Sequence, residues 1–123
     1  ALPFRNALFS TVASINILEK VPDPMTHFTE INRMMPPFPA RLVFSDPFSW
    51  DETVSLPETW LSGRTHGEYQ GLGIDNISRI MSGDNGIIDP PLTIADKKDV
   101  AWKIRKTRNL WEHITSQMIL GTR

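Results

Sequence analysis

The chain has 123 residues, a formal net charge of −1 and no cysteine, and 40% of its residues are hydrophobic. This length predicts one domain over residues 1–123, and the apolar content is that of a globular protein rather than a disordered one. The absence of cysteine excludes disulfide bonds and thiolate metal sites, and no apolar run reaches the roughly 18 residues that a membrane-spanning helix needs.

Two helices are predicted in the first third of the chain. Over residues 3–19, apolar side chains recur at steps of three and four after Pro3, a residue that suits the first turn of a helix. A shorter helix over residues 24–35 begins after Asp23, whose carboxylate suits an N-cap, and ends where two consecutive prolines follow.

A proline-rich and aromatic segment over residues 36–61 comes next. Its prolines predict at most short strands, at 40–44 and 52–56, in an otherwise extended chain. Structureless segments of this length are uncommon in compact domains, so we expect it to lie across a surface that belongs partly to a protein partner. The expected partner-binding residues are the aromatic side chains of this segment and of the last helix: Phe38, Phe44, Phe48, Trp50, Trp60, Trp102 and Trp111.

A glycine-rich loop over residues 63–73 precedes a short predicted helix over residues 75–82. His66 and Glu68 in this loop are the best candidates for an acid–base pair or a metal site, because loops carry functional residues more often than their share. No second pair at a fixed spacing completes such a site. We therefore assign no catalytic residue, no metal ligand and no cofactor.

The last predicted element is a helix of about 25 residues, 94–119. A stripe at steps of 4, 3, 4, 3 and 4 supports it and is apolar except for Thr107: Val100, Ile104, Thr107, Trp111, Ile114 and Met118. Residues 97–108 hold six basic groups and one acid, which leaves seven basic and thirteen acidic residues elsewhere. The expected basic face comprises Lys98, Lys103, Arg105, Lys106 and Arg108. Trp102 lies among these cations, an arrangement that suits cation–π contacts and base stacking.

These elements predict a mainly α-helical fold. The first functional hypothesis is a non-enzymatic structural or accessory subunit of a larger assembly, such as an organellar complex, a ribosome-like particle or a viral shell. Other protein subunits, identical or different, would contact the 36–61 segment and the last helix. The alternatives are a small enzyme or ligand-binding domain that uses the 63–73 loop, and a less favoured nucleic-acid-binding module that uses residues 97–108. The sequence assigns no compartment.

Overall fold

The computed structural model describes residues 1–123 as a mixed α/β fold with one four-stranded sheet and two α-helices. In chain order the elements are β1 (Thr11–Ile15), α1 (Pro24–Met34), β2 (Arg41–Asp46), α2 (Gly73–Met81), β3 (Thr93–Arg105) and β4 (Trp111–Thr122). The strand order in the sheet is β1-β2-β4-β3. Strands β1 and β2 are parallel, and β4 runs antiparallel to both β2 and β3.

Helix α1 connects the two parallel strands, and its ends follow local chemistry. The Asp23 carboxylate accepts a hydrogen bond from the Met25 backbone N–H at 3.0 Å, and Pro24 occupies the first turn. At the other end Met35 is extended, as expected for a residue that precedes proline. The return into β2 places Val12 beside Leu42 in the parallel ladder.

Both helices pack against one face of the sheet. Leu42 and Phe44 of β2 and Ile119 of β4 are fully buried there, together with Phe28 of α1 and Ile80 of α2. Gly121 lies on the same face, where a Cβ atom would approach the Met81 Cε to 2.6 Å. We call this the covered face. Neither helix is both long enough and apolar enough to cross a membrane.

The opposite face of the sheet has no helix against it, and we call it the bare face. The strand register places Ile15, Val100 and Ile104 there, with 50%, 37% and 38% of their surface exposed. Val43 and Met118 lie beside them and are half-buried. Strand β1 also pairs only with β2, so its outer edge has no neighbouring strand.

The prediction of a mainly α-helical fold is wrong, and two elements cause the error. Residues 3–19 form strand β1 and a short 3-10 turn instead of a helix. Residues 94–119 form a hairpin, because β3 and β4 pair along their whole length and reverse direction between Arg105 and Trp111. The short helices predicted over 24–35 and 75–82 correspond to α1 and α2.

The 36–61 segment contains more regular structure than its prolines suggest. It contains β2, which is a central strand of the sheet and begins just after the prolines. The predicted strand over residues 52–56 is instead a turn. The role of this segment in contacting a partner stays a prediction.

Candidate functional site

The loops that follow β1 and β2 meet at the carboxyl edge of the parallel strands. Each contains a residue with positive φ, Asn16 at 52° and Phe48 at 56°. Asparagine adopts this conformation readily, whereas a bulky side chain does so at a cost of about 1–3 kcal/mol. Strained residues of this kind concentrate where proteins bind ligands. In open α/β sheets, ligands bind at the carboxyl ends of the strands.

Asp46, the last residue of β2, joins the two loops. One carboxylate oxygen accepts the Leu18 N–H at 3.0 Å, and the other accepts the Phe48 N–H at 2.9 Å. The side chain is fully buried. Burial, with a smaller contribution from the nearby Glu19 carboxylate, raises the pKa of Asp46 to about 6. Glu19 is also buried, and it accepts the Ser49 N–H.

Phe48 is held in place by the start of α2. A Cβ atom at Gly73 would lie 2.6 Å from the Phe48 ring, so only glycine allows the ring to rest on this turn. The Phe44 ring lies 6.2 Å from the Phe48 ring on the core side. These contacts support the left-handed backbone of Phe48 and fix the course of the loop after β2.

The β3–β4 hairpin extends beyond the parallel strands. Strand β2 pairs with β4 only as far as Gln117, so residues 100–105 and 111–116 pair with each other alone. We call residues 100–116 the ribbon. The Trp102 indole N–H donates to Ser116 Oγ at 2.8 Å, and Ser116 Oγ donates to Asn16 Oδ1 at 2.8 Å. This chain of hydrogen bonds ties the ribbon to the loop after β1.

A cleft of about 580 Å³ lies between the two loops and the ribbon. Its lining comprises Asn16, Glu19, Lys20, Pro47 and Ser49 from the loops, Trp102, Ile104, Lys106, Glu112 and Ile114 from one face of the ribbon, and His113 and Thr115 at the β4 edge. The ion pairs Lys20–Glu19 and Lys106–Glu112, both at 3.1 Å, belong to this lining. An apolar wall beside a few charged and amide groups suits a planar, polar small molecule.

The aromatic residues predicted to bind a partner are not gathered on one surface. Trp50 and Trp60 stack with ring centroids 6.1 Å apart, and each indole N–H donates to a serine. Phe44 is buried in the core, whereas Phe38 is largely exposed. Trp102 is the one member of the set that lines the cleft.

The alternative site in the glycine-rich loop does not form a pair. His66 and Glu68 are both exposed and line different shallow depressions. No cluster of three or more histidine, aspartate or glutamate side chains is placed to hold a metal ion.

The basic residues of 97–108 are divided between the two faces of a strand rather than gathered on one face of a helix. Lys98 points to the same side as Ile104, and Lys103 and Arg105 point to the other. Lys106 pairs with Glu112 at the cleft, and Arg108 lies in the hairpin turn.

Two residues of the cleft region, Asn16 and Asp46, were not identified from the sequence. The available signal was the run Arg41–Asp46, in which an apolar stretch ends at an acid just before a proline. A polar residue at the end of a buried strand marks the edge where α/β proteins bind ligands.

No family model and no curated protein matches the chain by sequence. Solved structures match its fold. A SAM-dependent methyltransferase from Methanosarcina mazei matches over 100% of the chain with a TM-score of 0.60 and 16% identity. A structure from work on the conversion of a disulfide bond into a thioacetal group during echinomycin biosynthesis matches over 97%, with a TM-score of 0.55 and 12% identity.

The chain spans 63% and 50% of the lengths of these two proteins. At such identities the matches show the fold alone, and the first of them is the fold of a SAM-dependent methyltransferase. They correct the first functional hypothesis, because a non-enzymatic helical subunit was inferred from a fold that the chain does not have. The alternative hypothesis of a small enzyme or ligand-binding domain agrees better with these neighbours, although the cleft lies away from the 63–73 loop.

Proposed function

We propose that the chain forms one wall of a methyl-transfer site that uses S-adenosylmethionine (SAM) as the methyl donor. The observation that carries the proposal is the cleft at the carboxyl ends of β1 and β2, the position at which open α/β sheets bind ligands. The methyltransferase-like fold supports the choice of reaction. SAM supplies an electrophilic methyl group to the acceptor.

The residues of the cleft fit one side of a SAM molecule. Trp102, Ile104 and Ile114 offer a flat apolar surface for an adenine ring, and Asn16 and Lys20 offer polar contacts to charged groups. The role of these residues is to bind and orient the reactants and to exclude water from them. The hydrogen bond from Ser116 holds the Asn16 amide in a fixed orientation for this purpose.

The second wall of the site would come from further polypeptide. The bare face carries Ile15 and Ile104 unprotected, and clustered exposed apolar side chains usually mark a contact with another polypeptide. The outer edge of β1 is also free to accept a strand. We therefore infer that the active unit includes a segment that covers the bare face and adds to the β1 edge.

The four tryptophan indole N–H groups provide the test. In a nitrogen-15-labelled sample each gives its own resonance, and only Trp102 lies in the cleft. Titration with millimolar SAM or its demethylated product is expected to move the Trp102 signal. Trp50 and Trp60, which stack outside the cleft, should not move.

A matched pair of variants sharpens the test. Asn16→Ala changes a residue of the cleft and is expected to weaken binding several-fold, whereas Asn109→Ala removes the same amide from the hairpin turn and should leave binding unchanged. Absence of any movement of the Trp102 signal at millimolar ligand would contradict the proposal. Equal movement of all four indole signals would do the same.

A further inference from the structure

The two faces of the ribbon differ in chemistry. Cross-strand partners share a face, and the pairs Lys103–His113 and Arg105–Trp111 therefore lie on the face opposite Trp102 and Ile104. We call this the outer face. Its remaining members, Ala101 and Thr115, are neutral. Two of its residues, His113 and Thr115, also border the cleft at the β4 edge. The only acid of the ribbon, Glu112, lies on the other face and pairs with Lys106.

The outer face combines cations that have no carboxylate partner with an exposed aromatic ring. The Lys103 Nζ lies 5.2 Å from the centroid of the Trp111 ring, and the Arg105 Cζ lies 5.6 Å from it. The Trp111 side chain is 46% exposed. Neither Lys103 nor Arg105 forms a salt bridge, and the nearby Arg108 in the turn forms none either.

We infer that the outer face binds single-stranded nucleic acid. Lys103, Arg105 and Arg108 would contact backbone phosphates, and one base would stack on the Trp111 ring. Stacking of a base on an aromatic ring is stronger than an exposed cation–π contact. An arriving base therefore displaces Lys103 from the ring and leaves it free to contact phosphate. Arg105 donates through Nε and one terminal nitrogen to the Thr107 and Arg108 carbonyls, so its other terminal nitrogen would contact phosphate.

Charge and composition favour a nucleic acid over a protein partner. The cores of protein interfaces are depleted in lysine and built around several large apolar side chains, whereas this face has one such side chain and no acid. A single strand is favoured over a duplex because its base faces are accessible for stacking. This inference rests on Lys103, Arg105 and Trp111, none of which lines the cleft, and it is independent of the proposed function.

The test measures fluorescence anisotropy of a labelled uridine oligonucleotide of about 12 nucleotides, within the size range of single-strand sites. For three phosphate contacts the logarithm of the binding constant should fall with the logarithm of salt at a slope of about −2. Lys103→Glu and Arg105→Glu are each expected to weaken binding at least about tenfold at low salt, since each replaces an attraction with a repulsion.

Lys98→Glu is the matched control, because it makes the same charge change on the same strand but on the opposite face. It should weaken binding far less than Lys103→Glu. Trp111→Ala should weaken binding several-fold, and Trp111→Phe should restore most of it by preserving a ring for stacking. Circular dichroism melts of each variant confirm that the fold is retained.

Three outcomes would overturn the inference. The first is an equal loss for Lys98→Glu and Lys103→Glu, which would indicate attraction to net charge alone. The second is binding of the oligonucleotide by Trp111→Ala as tightly as by the wild type, together with binding of polyglutamate by the wild type as tightly as the oligonucleotide. This result would indicate an acidic polypeptide as the partner. The third is a shift of the Trp102 indole resonance, and not of the Trp111 resonance, when the oligonucleotide is added. This result would place the nucleic acid in the cleft.

Discussion

The two faces of the sheet carry similar apolar side chains and differ in what lies against them. On the covered face, Leu42, Phe44 and Ile119 are enclosed by the two helices and have no exposed surface. On the bare face, Ile15, Val100 and Ile104 remain open to solvent. The stability of the chain must therefore come mainly from one side of the sheet. The other side has apolar surface that is left for a ligand or for further polypeptide.

The largest expected effect is that of Phe44→Ala. Because this ring is fully buried between β2 and α1, its removal should lower the free energy of unfolding by about 3–5 kcal/mol. Urea denaturation followed by circular dichroism measures this loss. Ile15→Ala on the bare face is the control, and a loss of similar size there would show that the two faces are packed equally well.

Gly121→Ala should have the next largest effect, because it adds a methyl group to the closely packed covered face. The new Cβ would lie 2.6 Å from the Met81 Cε and 3.1 Å from the Leu92 Cβ. Overpacking of this kind costs about 1–3 kcal/mol. The Met81 methyl is the end of a flexible side chain, so the loss should be smaller in a Met81→Val background. An equal loss in both backgrounds would place the conflict at Leu92.

Asp46→Asn tests the carboxylate that joins the two loops. Burial raises the pKa of Asp46 from its ordinary value of 3.8 to about 6, so the folded state favours the protonated form. The stabilisation from this proton is complete at low pH and is lost as the pH rises through about 6. The melting temperature of the wild type relative to that of Asp46→Asn should therefore fall by a few degrees as the pH rises from about 4 to about 7.

The variant comparison is needed because the pKa of the half-buried His27 is lowered by desolvation, which acts on the pH dependence in the opposite direction. Its contribution is the same in both proteins and cancels in the difference. Thermal melts at several pH values between about 4 and 7 supply the data. A difference that stays constant, or that grows with rising pH, would contradict the assigned pKa shift.

The smallest effect on stability is expected on the bare face. Val100→Thr and Ile104→Thr exchange exposed apolar side chains for polar ones that suit a strand equally well, so each should change the free energy of unfolding by no more than about 0.5 kcal/mol. Both variants should reduce self-association, which light scattering against protein concentration would detect. A loss of stability like that of Phe44→Ala would show that this face is already covered.

Local signals in the sequence were sufficient to predict the two helices that pack on the covered face. The Asp23 cap and the proline that follows it predict the start of α1, and the structure contains this cap. Helix α2 also lies close to its predicted range. Helix α1 depends on its cap and both helices depend on apolar spacing within about ten residues, whereas α2 begins at Gly73 with no side-chain cap. Interactions of such short range are visible in a sequence.

The strands could not be assigned in this way because their partners are distant or ambiguous. The apolar residues from Val100 to Met118 fit helical spacing, yet Val100, Trp102 and Ile104 also alternate as in a strand. The choice between these patterns is made by the pairing of β3 with β4 and by the pairing of Gln117–Thr122 with β2, which lies far away in the chain. In the same way β1 is a strand because Arg41–Ser45 pair beside it.

The candidate site depends on contacts at even longer range. The hydrogen bond between Ser116 and Asn16 joins residues 100 positions apart, and the Asp46 carboxylate reaches Leu18 across 28 positions. Trp102 was singled out for its basic neighbours, but its place in the cleft follows from the hairpin. Such a site becomes visible only when the strand order is known.

The position of β4 in the sheet has a consequence for synthesis of the chain. This strand lies between β2 and β3 but is made after both. During translation, β1, α1, β2 and α2 therefore leave the ribosome before β4, which is the second strand that pairs with β2. Until β4 is available, Leu42 and Phe44 belong to an edge strand. The nascent chain then exposes an unpaired strand edge and apolar surface, to which chaperones can bind.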